Sequence, residues 1–255
     1  MSETYGTANY QQYGQYPQYY INGLGLSNDG TTPNTLLDVA PGSCLDSTAS
    51  YQLTLSASVK INSAVNGLNG LDAGAIAASK VYAVYVVWDP VSNNAAGAMI
   101  SLSLTGPLMP FGYSAYLLVG YVTTDGSKNF LKGYWSAGNS SLRTFTYDAP
   151  IQCKSGSDTS YTGIDLSDFV PGINNTPVVI YTNFNANAAA DVANLQGYNS
   201  TGDAVTIIAP VAGSVAHTTQ QNVVLAQLNT AAPSIKYKVS AGSAVLDVCS
   251  YQWSV

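Results

Sequence analysis

Between residues 51 and 60, YQLTLSASVK, apolar and polar positions alternate without a break. Tyr51, Leu53, Leu55, Ala57 and Val59 oppose Gln52, Thr54, Ser56, Ser58 and Lys60. Side chains on a strand point to its two faces in turn, so this period of two predicts a strand with one buried face. Residues 80–90, KVYAVYVVWDP, are apolar at both parities, which predicts a central strand covered on both sides. Further strands are expected at GAMISLSLTG (97–106), at YSAYLLVGYVTTDG (113–126), which ends in the hairpin-turn signal TTDGS, at NFLKGYWSA (129–137) and at LRTFTYDAP (142–150). Residues 61–80 carry a weak helical hint between loops.

Beyond the turn-rich stretch 150–160 the same grammar resumes. TPVVIYTNFNA (176–186), DVANLQGY, DAVTIIAP, NVVLAQLN (222–229), SIKYKVSA and SAVLDVCSYQWSV read as strands. In SIKYKVSA, Ile235, Tyr237 and Val239 alternate with Lys236, Lys238 and Ser240; in the last strand Val245, Cys249, Tyr251 and Trp253 are expected on one face. Short strands at such spacing, separated by turn residues, imply sandwiches or barrels. The expected fold is all-β: two β-sandwich or jelly-roll-like domains, 20–150 and 161–255, joined by a linker at 151–160 and unrelated to each other as repeats.

An N-terminal arm, residues 1–19, precedes them. YGTANYQQYGQYPQYY (5–20) holds Tyr5, Tyr10, Tyr13, Tyr16, Tyr19 and Tyr20 among Gln, Gly, Asn and Pro, with no aliphatic side chain larger than Ala8. Such a segment builds no core of its own. Tyrosine gives large contact area at low entropic cost and carries a hydroxyl, so these six residues are the candidate partner-binding anchor.

Composition sharpens the picture. Charged residues make up 9% of the chain, against roughly 25% in an ordinary soluble domain. Scarce Glu, Lys and Arg remove the best surface helix formers, while abundant Tyr, Val, Thr and Ile suit pleated surfaces. The net charge is −6 and no Lys/Arg cluster occurs, so neither nucleic acid nor an anionic membrane is an expected partner. No window approaches the ~18 apolar residues of a membrane-spanning helix. The N-terminus lacks the basic and apolar regions of a signal peptide, so synthesis in a cytoplasm is expected. Cys44, Cys153 and Cys249 are odd in number and far apart, which reads as buried free thiols, with one disulfide among them left open.

Candidate chemistry is sparse. The one histidine, His217, lies in a polar stretch without a nucleophile elbow. Asp29, Asp89, Asp125 and Asp203 all sit in turn sequences, where side-chain capping of the turn accounts for them. The NDG and DPVSNN stretches could offer oxygens to Ca²⁺ but lack loop spacing for it. No phosphate-cradling loop or HExxH is present, and no cofactor or catalytic residue is assigned. Trp88, Trp135 and Trp253 fall in strand patterns and are expected in the core. The aromatics expected at loops, and so available to a cell-surface glycan, are Tyr113, Phe184 and Tyr198.

Residues 20–30 (YINGLGLSNDG), 39–47, 53–55 (LTL), 70–74 (GLDAG), 82–87, 107–113 (PLMPFGY) and 120–130 occur in an order that resembles a segment common in tailed-bacteriophage virion proteins. The closing SAVLDVCSYQWSV is similar to their last strand more loosely, since Gln252-Trp253-Ser254 replaces a G-W-x-D ending. The resemblance covers most of 20–150 and, more weakly, 175–255; the arm lies outside it. It implies a structural virion component (tail fibre, appendage or collar), assembled in the host cytoplasm as a homotrimer or other homo-oligomer and attached to other virion proteins through the arm. The alternatives are a capsid decoration or head-fibre protein, or a receptor- or glycan-binding module. It transfers no catalytic residue.

Overall fold

The computed structural model describes residues 20–136, 142–209 and 217–254, with only the backbone path at 217–220. The anchor candidates Tyr5, Tyr10, Tyr13, Tyr16 and Tyr19 lie outside the described residues. Within them all regular structure is β, in antiparallel, sandwich-like sheets.

The first half opens with three chain segments that each change sheet midway. β1 (Ile21–Gly23) runs into β2 (Leu26–Asn28), β3 (Leu36–Val39) into β4 (Gly42–Leu45), and β5 (Gln52–Leu55) into β6 (Val59–Asn62). They pair as β1-β4-β5 and as β2-β3-β6. The first kink uses Gly23 (φ 70) and Leu24 (φ 55) in the left-handed region. A Cβ on Gly23 would lie 2.4 Å from the Pro41 carbonyl oxygen, so only glycine fits there. The kink between β5 and β6 corrects the expectation for 51–60. Tyr51, ahead of β5, is exposed; Leu53 and Leu55 are buried, but the chain then turns at 56–58, leaving Ala57 exposed and Val59 half-buried.

β7 (Val81–Asp89), β8 (Asn94–Ser101) and β9 (Ala115–Thr123) form a sheet in the order β8-β7-β9. As expected from its two apolar parities, β7 is buried on both faces. Tyr82, Val84 and Val86 pack with Leu37, Leu53 and Ile61 of the kinked layers. Val81, Ala83, Tyr85 and Val87 join a second core built from the other half of the chain. Residues 61–80 form no helix; Leu71 makes isolated bridges to Asn66 and Ile100.

The second half comprises β10 (Gly133–Trp135), β11 (Leu142–Gly156), β12 (Thr162–Asp165), β13 (Thr176–Asn185), β14 (Val192–Gly197), β15 (Val205–Ile208), β16 (His217–Asn229), β17 (Ala232–Val239) and β18 (Ser243–Ser254). Their order is β10-β11-β18-β13-β16-β17-β14-β15, with β12 on the other side of β17. β16 meets β13 over 217–226 but β17 only over Gln227–Asn229, so the sheet folds over itself. Val178 and Ile180 of β13 thereby share a core with Leu195, Ile235 and Tyr237.

Two expectations are corrected here. The stretch 151–160 is not a free linker: β11 continues to Gly156, paired with β18 through register shifts after Thr146 and Gln152. Extra residues of this kind bend a strand without ending it. In β18 a register shift also falls at Cys249, because Ile180 pairs with Val248 while Val179 pairs with Ser250. One inserted residue exchanges the faces. Leu246 and Val248 point inward before it, Tyr251 and Trp253 after it, and Val245 is only half-buried.

Candidate functional site

The aromatic candidates among the described residues do not converge. Tyr20 belongs to the body rather than to the arm. Its hydroxyl meets Ser43 Oγ at 3.2 Å and its carbonyl accepts the Leu45 amide at 3.1 Å, extending the β1–β4 pairing. Tyr113 lies on the β8–β9 loop, half-buried, and donates its hydroxyl to the Ala95 carbonyl at 2.8 Å. Phe184 is corrected: it is 0% exposed. β13 runs on to Asn185, and Phe184 keeps the inward parity of Val178, Ile180 and Thr182, so its ring is core. Tyr198 follows β14, half-exposed, and among the described candidates it is the one that sits beside lysines without a carboxylate partner.

That neighbourhood is built by β17. Ile235, Tyr237 and Val239 point into the core, as their alternation predicts, which sends Lys236 and Lys238 to the opposite face. On β14, Gln196 stands across from Lys236 and Asn194 across from Lys238. On β12, Gly163 stands beside Lys236. The Lys236 ammonium lies 4.8 Å from the Tyr198 ring centroid, and the Lys238 ammonium 4.4 Å from that of Tyr161. A cation over an aromatic face at such distances is attracted by the ring quadrupole. Gly163 makes room for this: a Cβ there would approach Tyr198 Cε2 to 3.0 Å.

The chain's other described ion pairs set these two lysines apart. Lys60 pairs with Asp29 and, at 3.8 Å, with Asp38; Lys154 pairs with Asp158 at 3.2 Å. Among the described residues Lys236 and Lys238 have no carboxylate partner. Asn194 donates its amide to Asp203 Oδ2, but Asn194 Oδ1, Gln196 Oε1 and the Tyr161 hydroxyl are buried without a hydrogen-bond partner. Asn194 and Gln196 are only 6% and 4% exposed. A buried acceptor without a donor costs free energy, and both of these oxygens are closed off from solvent beneath the face that carries the two lysines. Toward the core, by contrast, the Tyr237 hydroxyl donates to Asp158 Oδ2 at 2.6 Å. Burial, then this bond, pushes the Tyr237 phenol up to about 12. The same bond, followed by Lys154, holds Asp158 below the usual carboxylate range.

Sequence reading reached Tyr198 and the outward parity of Lys236 and Lys238. It missed Tyr161, Asn194 and Gln196, whose proximity depends on strand register.

Elsewhere Asp29, Asp89 and Asp125 cap turns as expected, while Asp203 instead accepts the Asn194 side-chain amide. Asp29 accepts the Thr31 and Thr32 amides, Asp89 those of Val91 and Ser92, and Asp125 those of Ser127 and Asn129. Among the described residues no three His, Cys, Asp or Glu side chains gather as a metal site would require. The backbone of His217 opens β16 opposite Asn185. Trp253 is buried, and Trp135 donates its indole N–H to the Tyr121 carbonyl at 2.8 Å. All three cysteines are free thiols.

No protein-family model matches the chain, and no curated protein matches it. Solved structures with some likeness include a carbohydrate-binding module from Cellvibrio mixtus lichenase 5A in complex with cellotriose. It is 14% identical with a TM-score of 0.23, covering 49% of this chain and 87% of that one. A second is the VP2 subviral particle of infectious bursal disease virus, 12% identical with a TM-score of 0.23, over 92% of this chain and 67% of that one. A third is a tryptic core variant of Bacillus thuringiensis Cry1Da, 8% identical with a TM-score of 0.21, over 91% of this chain and 50% of that one. None of these scores is high enough to carry an argument about this chain.

Proposed function

We propose that the chain is a structural component of a bacteriophage virion, of the tail-fibre, appendage or collar type, attached to its neighbours through the N-terminal arm. The observation that carries this reading is the fastening of Tyr20. The residue that follows the arm is bonded to β4 through both its hydroxyl and its carbonyl, immediately before β1, which is an edge of the β1-β4-β5 sheet. The preceding residues therefore leave from a fixed point on a sheet edge. An extended arm of this length reaches on the order of 60 Å, at about 3.3 Å per residue, which spans a neighbouring subunit. The charge-poor composition suits a surface packed against other proteins, since interface cores are depleted of charge. The reading takes the protein to be homo-oligomeric, housed in the particle, and without a catalytic role.

The test is deletion of residues 2–19, which leaves Tyr20 and everything it holds in place. The truncated protein is expected to fold with an unchanged melting profile and to be missing from purified particles. Normal incorporation of the truncated chain would refute the anchor. Light scattering on the purified full chain measures the oligomeric state.

A further inference from the structure

We infer that the outer face of β16, β13 and β18 is the contact through which two copies of this chain pack against each other. The inference deepens the homo-oligomeric part of the proposed function and rests on it. Parity is the starting point. Along 177–181 of β13 and 223–226 of β16 both parities are apolar, the pattern of a strand covered on both sides. β7 has that pattern, and the chain itself covers both of its faces. In β13 and β16 only the inner parity is covered. Val178, Ile180 and Val224 lie in the core, while Val223 is 61% exposed and Leu225 46%. Register places Val223 beside Val179 and Leu225 beside Pro177. The outward apolar side chains therefore form one patch across two strands, and a contiguous exposed apolar patch marks an interaction surface.

The character of the face selects its occupant. Over β18, β13 and residues 221–225 of β16, the outward positions hold one charged side chain, Asp247, and no cation. A partner recognised by its charge finds a single carboxylate there. A second copy brings the same neutral, apolar strip. Each chain carries a net charge of −6, so two copies repel one another least where charge is absent. Homodimer interfaces are also more apolar than other protein contacts, and sheet faces pack on each other about 10 Å apart with their strands nearly aligned. With β11 at the margin, four strands about 4.8 Å apart, each contributing about eight residues at about 3.3 Å, present on the order of 500 Å². Two such faces bury on the order of 1,000 Å², the size at which a contact becomes a specific interface. A patch that pairs with itself is two-fold and closed, so it makes a dimer. Val223, Leu225, Val179 and Pro177 form its centre. Asp247, beside Tyr181 on the β18 side, lies toward the polar rim.

Sedimentation equilibrium on the full-length chain measures the association, and wild type is expected to reach twice the chain mass. Val223→Glu/Leu225→Glu adds two carboxylates to a face that holds no cation, and should raise the dissociation constant at least tenfold. Both positions are exposed, so the circular-dichroism spectrum should stay that of wild type. Phe111→Glu adds the same charge at a fully exposed apolar position on the β8–β9 loop, and should leave the dimer intact. In wild type, hydroxyl-radical oxidation of Tyr181 and Leu225 should fall as the protein is concentrated, a readout that does not depend on any variant folding. Deletion of residues 2–19 should leave the dimer unchanged, which separates this inference from the anchor. A truncated chain that still dimerises and still enters particles supports the face and refutes the anchor. A wild-type protein that stays monomeric, or that forms trimers, overturns the face and leaves the anchor untouched. The proposal is equally overturned if the double glutamate variant is as dimeric as wild type, or if Phe111→Glu dissociates the dimer. It also falls if deleting residues 2–19 raises oxidation of Tyr181 and Leu225, since the chain's own arm would then be what covers the face.

Discussion

Arg143 is the only arginine of the chain, and it is 4% exposed. Its guanidinium donates to three backbone carbonyls: Gly23 at 3.1 Å, Leu24 at 3.2 Å and Val119 at 3.0 Å. These acceptors are not arbitrary. Gly23 and Leu24 form the kink where the chain passes from β1 to β2. Val119 is the extra residue of β9, since Val84 pairs with Gly120 and Tyr85 with Leu118. A kink and a bulge both interrupt the ladder and release carbonyls that need a donor. Arg143, on the strand β11, supplies all three donors from a rigid planar fork. Burial lowers its pKa from the usual guanidinium value, so the charge is held at a cost.

Arg143→Met keeps much of the side-chain bulk and removes every donor. Each buried carbonyl left bare costs about 1–3 kcal/mol. Relief from burying a cation offsets several kcal/mol of that sum. The expected net loss is about 2–5 kcal/mol, which at roughly 2–4 °C per kcal/mol for a chain of this size lowers the melting temperature by about 4–20 °C. Arg143→Lys retains the charge but has a single donor head for carbonyls on two elements, so it should fall between wild type and Met. Urea unfolding followed by tryptophan fluorescence measures all three proteins. A Met variant within about 0.5 kcal/mol of wild type, or more stable than it, would mean that the three carbonyls need no donor from Arg143.

Three further outcomes follow from particular groups. Asp29 is held below its usual pKa by Lys60, then by the Thr32 and Thr31 amides; Asp89 by the Ser92 amide; Asp158 by the Tyr237 hydroxyl. Their stabilisation is complete above the unfolded carboxylate value near 4 and is lost as pH falls from there toward the folded values. Asp247, raised by burial, acts in the opposite sense. The urea midpoint should therefore drop below about pH 4; a midpoint unchanged down to pH 3 would contradict these assignments. Gly242→Ala, at φ +81 with a Cβ 2.1 Å from the Asn185 carbonyl oxygen, should cost about 2 kcal/mol or more, whereas Gly67→Ala, at φ +91 in open space, should cost about 1. Equal losses in chemical denaturation would remove the steric argument. Burial pushes the Cys44 and Cys153 thiols up to about 12, so both should react slowly with a disulfide reagent at pH 8 and rapidly in denaturant.

What the chain discloses in advance depends on how locally each feature is decided. The parity of 235–239 is decided within one strand, and it holds. The two-sided burial of β7 is likewise legible, because both parities are apolar over a single run. The alternation at 51–60 misleads, since nothing in it marks the turn at 56–58 where the chain changes sheets. The last strand misleads at Cys249 for a similar reason: one inserted residue reverses the parity, and only the pairing with β13 discloses the insertion. Phe184 is assigned to a loop although it lies inside the strand expected at 176–186, and parity with Ile180 carries it inward. The lysine–tyrosine face was half visible. Lys236 and Lys238 show as outward residues, but Tyr161 and Tyr198 reach them from other strands through register.

The same reasoning bears on where one half of the chain ends and the other begins. Turn-forming composition at 150–160 suggested a boundary, but composition marks where backbone bends, and a core is divided by side-chain faces. β10 and the first part of β11 already belong to the larger sheet before Pro150. Phe145 and Tyr147 lie in the larger core together with Tyr85 and Tyr121 of the central sheet. Tyr121 meets Trp253 edge-on at 5.4 Å. At Gly120 a Cβ would lie 2.5 Å from Leu26 Cδ1 and 3.4 Å from Trp253 Cζ2, so the first layer, the central sheet and the last strand approach one another at a residue that has no side chain. Arg143 adds polar ties across the same junction. Separating the halves at any point between β9 and β11 would bare one face of β7 and strip three carbonyls of their donor, so the two β regions stabilise each other.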